Sequence, residues 1–208
     1  MVFCHGDYKN SIVPSYSASL YTGGMTSGKT FRIMKIISDA TLQGRLVEVM
    51  AYPVHENKIV SRTGLAYPAF TSKFVEEMED RLEKLDPFPN IVIFDDAQLL
   101  ERVKFKKLFL KCKKLAKVVV SAIQNDLFGR PFETIQEIFP HCESVINLPA
   151  ICSICKKKNA IYTQRYKDLE KTIPFLDPVE WELVSDELKV DKRYYDPVCF
   201  GHFQTLFL

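Results

Sequence analysis

Apolar positions along the chain switch between a period of two and a helical period. Tyr16 to Tyr21 is a short β-prone run that ends at Gly23-Gly24. Lys29 to Gln43 then reads as a helix, with Phe31, Met34 and Ile37 on one face and Gly44 as a stop. Leu46 to Val54 is a second strand candidate. His55 to Pro68 is polar and irregular, punctuated by Gly64 and Pro68. Phe74 to Leu85 is helical and is broken by Pro87 and Pro89. Ile91-Val92-Ile93-Phe94 is an unbroken apolar run before Asp95-Asp96, the pattern of a strand buried on both faces. Leu99 to Leu115 is helical. Val118 to Val120 opens another buried strand that ends near Gln124, Phe132 to Phe139 is a short helix, and Ser144 to Leu148 is a last strand. Strands alternating with helices predict an α/β domain, a mostly parallel sheet flanked by helices. From Pro149 the texture changes to a cysteine pair, a basic turn, a long loop, and then Cys199 and His202. Residues 149–208 are therefore expected to form a small second domain beside residues 1–148. Met1 to Pro14 reads as a loose leader.

Composition changes this picture little. Hydrophobic residues make up 47% of the chain and charged residues 26%, with a formal net charge of +2. Those values are ordinary for a globular protein, and whole-chain charge selects no polyanionic partner. No stretch reaches the roughly 20 apolar residues of a membrane span, so none is expected. Met1 to Asn10 has no basic segment followed by an apolar one, so no secretory signal is expected. The six cysteines are then read as thiols or metal ligands before disulfides, and the cytoplasm as the compartment. Charge is concentrated locally, in Lys104, Lys106, Lys107, Lys111, Lys113, Lys114 and Lys117. This run reads as a solvated helix face with Phe105, Leu108, Cys112 and Leu115 turned inward. Nucleic-acid binding is the alternative.

Gly23-Gly24-Met25-Thr26-Ser27-Gly28-Lys29-Thr30 fits the phosphate-loop pattern G-x-x-x-x-G-K-[ST]. Its glycines let backbone N–H groups curl around a phosphate, Lys29 reaches the outer phosphates, and the Thr30 hydroxyl can hold Mg²⁺. The strand before and the helix after supply the right context, so the α/β domain is expected to be P-loop NTPase-like. Such an enzyme needs a carboxylate at the end of a neighbouring parallel strand to complete the Mg²⁺ site, and Asp95 stands there. Asp96 follows at once and can orient an attacking hydroxyl; the alternative is that the pair merely caps the next helix.

Cys152-x-x-Cys155 and Cys199-x-x-His202 are two knuckle-like pairs, which together offer four soft ligands for a closed, structural zinc site. The competing reading is two unrelated thiols and a surface histidine. Cys4, Cys112 and Cys142 are left over, the last two as plain buried residues.

Together these motifs resemble the thymidine kinase family found in bacteria, animals and large DNA viruses, the compact type with a P-loop domain and a zinc-clamped lasso loop. Gly23 to Thr30 is similar to that family's Gly-Pro-Met-Phe-Ser-Gly-Lys-Ser/Thr. Ser61-Arg62-Thr63-Gly64-Leu65 resembles a bacterial Ser-Arg-Ile-Gly-Leu, and Asp95-Asp96-Ala97-Gln98-Leu99 resembles Asp-Glu-x-Gln-Phe. Ala122-Ile123 through Leu127 to Phe132 looks like Gly-Leu-x-x-x-Phe-x-x-x-x-Phe. Tyr162-Thr163-Gln164-Arg165 after the first cysteine pair, and Tyr195 to His202 at the end, are similar to the family's lasso flanks.

The resemblance implies phosphoryl transfer from ATP, with Mg²⁺, to the 5′-hydroxyl of thymidine. It implies Asp96 as general base beside Lys29, and Gln98 on the base. It implies a nucleoside pocket of Met25, Gln98, Leu99, Ile123, Leu127, Phe132, Thr163 and Tyr195, and a homotetramer. The departures are equally specific. Asp96 stands for the family's Glu, and Leu99 and Leu127 stand for aromatic residues. No Asp-x-Arg appears in Val54 to Ile59, the family's Ile-Gly-Gly is absent, and the lasso carries Trp181 and an acidic run. They imply a diverged member: a kinase with altered or weakened activity, or an inactive nucleotide-binding relative with a regulatory or partner role.

Overall fold

The computed structural model describes residues 16–174 and 191–204. The leader, Cys4 and the lasso stretch around Trp181 lie outside the described residues. Five apolar-rich segments and one short edge form a six-stranded sheet. In chain order its members are β1 (Ala18–Thr22), β2 (Val47–Ala51), β5 (Phe70–Thr71), β6 (Ile91–Asp95), β7 (Lys117–Ser121) and β8 (Ser144–Asn147), and across the sheet they run β5-β2-β6-β7-β1-β8. Every neighbouring pair in it is parallel. Between β2 and β5, a small antiparallel hairpin pairs β3 (Lys58–Val60) with β4 (Ala66–Pro68). Among the described residues the α-helices are α1 (Lys29–Leu42), α2 (Val75–Glu83), α3 (Arg102–Lys113) and α4 (Glu133–Ile138).

The central strand explains the layering. Side chains of β6 alternate between faces, so Val92 and Phe94 enter one core while Ile91 and Ile93 enter the other. The first core lies under α2, α3 and α4, where Phe94 meets Phe105 edge-on at 5.1 Å and 83°. The second lies under α1, which buries Ile33, Ile37 and Ala40. A strand covered on both sides has no polar face to show, which is why its sequence is continuously apolar.

Two expectations shift. The buried stripe of α1 is Ile33-Ile37-Ala40, while Phe31 is 51% exposed. Residues 55–68, read as irregular, contain the β3–β4 hairpin, whose strands span only three residues each. The lysine run lies mainly on α3, where it is paired: Lys104 with Glu76, Lys111 with Glu79 at 2.7 Å and Glu83 at 2.6 Å, and Lys106 with Glu137 at 2.6 Å. These lysines tie α3 to α2 and α4. Such exposed pairs are screened by solvent and add little to stability.

Beyond β8 the chain builds a separate small core of Ala150, Cys152, Ala160, Val198 and Cys199. Its framework is a two-stranded antiparallel ladder of β9 (Tyr162–Arg165) and β10 (Tyr195–Val198). No helix among the described residues is long and apolar enough to cross a membrane.

Candidate active site

In a parallel sheet the carboxyl ends of the strands share one edge, and ligands bind in the loops beyond it. Here β1 delivers the phosphate loop to that edge, β7 delivers Ser121, and β6 delivers Asp95 and Asp96. Because β7 lies between β1 and β6, the loop and the acidic pair face each other across Ser121.

The loop's curvature is fixed by backbone constraints that few sequences meet. A Cβ on Gly23 would overlap the Leu148 carbonyl oxygen, and Gly23 sits at φ +147°. Gly28 occupies the left-handed region at φ 86° and starts α1 with no side-chain cap on the helix. The first N–H groups of α1 are therefore free of a capping side chain, and the positive end of the helix faces the loop. Thr26 is also left-handed, at φ 62°. Lys29 is 8% exposed, and its Nζ donates to Gly24 O at 2.8 Å and Gly23 O at 3.2 Å. Its ammonium thus sits over the loop that the motif assigns to phosphate.

Asp95 is 3% exposed, and its Oδ1 has no hydrogen-bond partner, like the buried Ser121 Oγ beside it. Burial pushes its carboxyl up from 3.8 to about 6; Asp96 adds to this, while Ser121, Lys29 and Thr30 pull it down. An orphaned, desolvated carboxylate oxygen near a threonine hydroxyl is a hard oxygen donor set, which fits Mg²⁺. Asp96 stands at the head of a short 3-10 turn in a left-handed conformation, φ 54°, ψ 36°, and its side chain makes no capping hydrogen bond there.

Gln98 is 6% exposed and joins two parts of the site. Its Oε1 accepts the Ile123 N–H at 3.1 Å, and its Nε2 makes a long 3.4 Å contact to Asp96 Oδ1. Gln98, expected on the base, thus has protein partners that its sequence neighbourhood does not announce. No local pattern points to a hydrogen bond between residues so far apart in the chain. Leu99, at 39% exposed, is open, whereas Thr163 and Tyr195 are buried in the β9–β10 ladder. The Thr163 hydroxyl accepts the Met25 N–H at 3.1 Å, bringing that ladder onto the phosphate loop. Ile123, Leu127 and Phe132 follow β7, partly buried, around a turn that Asp126 holds through the Phe128 and Arg130 N–H groups.

The four predicted metal ligands do converge. Their donor atoms all lie within 4.8 Å of one another. Cys152 Sγ is 3.7 Å and Cys199 Sγ 3.2 Å from His202 Nδ1, and Cys155 Sγ is 3.9 Å from Cys199 Sγ. A tetrahedron of normal zinc bond lengths has edges of roughly 3.5–3.8 Å, so the cluster is the right size. Burial opposes ionisation of Cys152, but the N–H groups of Cys155, Cys199 and Ile154 outweigh it and bring that thiol down to about 6. Cys152 is thus biased toward thiolate, whereas burial and the neighbouring Cys152 and Cys155 push the Cys199 thiol up; three sulfurs and an imidazole nitrogen are a donor set suited to a soft divalent cation.

Comparison with known proteins agrees with this geometry. The thymidine kinase family profile matches residues 16–179. A thymidine kinase of Mesomycoplasma hyopneumoniae (strain 7448) is 29% identical over 140 residues, covering 65% of this chain and 75% of that one. One from Listeria monocytogenes serotype 4b (strain F2365) is 27% identical over 186 residues, covering 85% and 91%. One from Onion yellows phytoplasma is 31% identical over 153 residues, covering 73% and 66%.

Proposed function

Because the chain belongs to the thymidine kinase family, we propose that it transfers the γ-phosphoryl group of ATP to the 5′-hydroxyl of thymidine. The observation that carries this reading is the pairing, at one sheet edge, of an uncapped helix start behind Gly28 with the orphaned Asp95 oxygen.

In this reading the loop N–H groups of Gly24 to Thr30 receive the phosphates, and Lys29 moves from the Gly23 and Gly24 carbonyls to the outer phosphate oxygens. The Thr30 hydroxyl and the Asp95 carboxylate would hold Mg²⁺, which would supply positive charge against the charge that develops on the phosphates. Asp96 accepts the proton of the 5′-hydroxyl while that oxygen bonds to the γ-phosphorus. The bond from the γ-phosphorus to the bridging oxygen breaks, and ADP leaves. Gln98 steadies Asp96 and the Ile123 backbone. Met25, Leu99, Ile123, Leu127, Phe132, Thr163 and Tyr195 line the nucleoside. Cys152, Cys155, Cys199 and His202 hold a structural zinc in a C-terminal domain of residues 149–208, set against the nucleotide-binding domain 1–148. By likeness to the family, the assembly is a homotetramer.

A second reading is a catalytically weak or silent relative that binds nucleotide and acts through a partner. It is favoured by Asp96, which is shorter than Glu and is held in a left-handed backbone conformation. ADP formation across the four deoxynucleosides separates the two. The kinase reading expects turnover with thymidine in excess of the others. The silent-relative reading expects ADP to bind but none to form.

A further inference from the structure

The first half of the phosphate loop is held from outside by the Cys/His unit. A Cβ on Gly24 would lie 3.1 Å from the Tyr162 carbonyl oxygen and 3.4 Å from the Ile161 carbonyl carbon, so loop and β9 are in close backbone contact. One residue on, Met25 N–H donates to Thr163 Oγ1 at 3.1 Å, across 138 positions of sequence. Thr163 is 3% exposed. It faces Pro197 across the ladder, and Pro197 stands two residues before the ligand Cys199. The Pro197 carbonyl also accepts the Ser153 N–H at 2.9 Å, and Ser153 lies between Cys152 and Cys155. Just upstream of β9, Ala160 and Ala150 exchange both backbone hydrogen bonds, at 3.0 and 2.9 Å, closing the turn that carries the first cysteine pair. The hydroxyl that fixes Met25 thus belongs to the same small framework that gathers the four metal ligands.

The loop needs such an anchor. Three of its residues, Gly23, Thr26 and Gly28, hold positive φ, and the ammonium of Lys29 bonds the loop's own carbonyls. A curved, glycine-rich segment loses affinity for its ligand in proportion to the conformations it samples when empty.

We propose that Thr163 is a positioning residue for the phosphate loop. Its hydroxyl, accepting the Met25 N–H, lets the C-terminal Cys/His unit set the loop's shape and so its affinity for the nucleotide's phosphates. The inference rests on the nucleotide-binding part of the reading above. It adds a second task to the place in the nucleoside pocket given to Thr163 above, and the two are separable. A base contact governs thymidine binding, whereas a loop anchor governs ADP and ATP.

Thr163→Val keeps the shape and removes the acceptor, while Thr163→Ser keeps the acceptor. Calorimetric titration with Mg²⁺ and ADP, with no nucleoside present, should show the Val variant about tenfold weaker than wild type, the scale of one well-placed hydrogen bond. The Ser variant should bind within about twofold of wild type, and the Val variant should raise KM for ATP more than KM for thymidine. Independently of any variant, the Met25 amide of the wild-type protein without nucleotide should exchange slowly with deuterium. Equal ADP affinity in wild type and Val, a Ser variant as weak as Val, or rapid exchange at Met25 overturns the inference alone. A wild-type chain that does not bind ADP overturns the underlying reading and the inference together.

Discussion

Asp95→Asn tests the electrostatics of the site with a pH signature. Folding buries Asp95 and raises its carboxyl from 3.8 to about 6. Between those values the native state therefore holds a proton that the unfolded chain has released. Stability must fall as pH rises across that window, with the loss complete above about pH 6. Moving from 3.8 to about 6 corresponds to about 3 kcal/mol at 25 °C. Asn mimics the neutral acid and does not titrate, so any cost of fitting an amide stays constant with pH. Urea unfolding of wild type and Asp95→Asn from pH 4 to 8 should give a difference that shifts by about 3 kcal/mol in favour of Asn as pH rises, and then levels off. The same proton competes with Mg²⁺, so Mg·ADP affinity of wild type should decline as pH falls through about 6. A pH-independent difference between the two proteins would refute the claim that Asp95 is a desolvated carboxylate awaiting a cation.

Other expectations follow from single contacts. Gly23→Ala drives a Cβ into the Leu148 carbonyl at a φ of +147°, so it should destabilise by about 1–3 kcal/mol and abolish measurable ADP binding; a wild-type melting temperature and affinity would contradict the loop geometry. Asp96→Glu restores a methylene at a site where about 1 Å of misplacement costs on the order of a hundredfold in rate; kcat should rise by one to two orders of magnitude if reach is what limits the enzyme, and an unchanged kcat counts against Asp96 as the base. Metal analysis of the purified chain should give about one zinc per chain, and Cys199→Ser should lose it along with protection of the β9–β10 amides; a metal-free protein with those amides protected would remove zinc from the account.

Much of the nucleotide end is legible in the sequence because its constraints are local. Gly23 to Thr30 must curl, so its glycines are fixed in place, and Ile91 to Phe94 must be apolar because both faces of β6 are covered. The convergence of Cys152, Cys155, Cys199 and His202 also follows from chemistry, since few other functions call for paired thiols and an imidazole. What sequence periodicity does not carry is long-range. The Thr163 hydroxyl on Met25 and the Gln98 carbonyl on Ile123 join residues far apart in the chain. The inward face of α1 differs from the expected Phe31-Met34-Ile37 stripe because Phe31, though apolar, points outward on a helix whose core contacts are Ile33, Ile37 and Ala40. The β3–β4 hairpin escaped because strands of three residues with one buried side chain, Ile59, leave no alternation to detect.

The central claim is phosphoryl transfer to a nucleoside by the loop that Lys29 closes. Thymidine, ATP and Mg²⁺ incubated with the wild-type chain should yield thymidine 5′-monophosphate and ADP in equal amounts, identified by mass spectrometry and phosphorus NMR, and Lys29→Ala should reduce the yield by at least about a hundredfold. No phosphorylated product from thymidine or any other deoxynucleoside, or product formed equally well by Lys29→Ala, would contradict it.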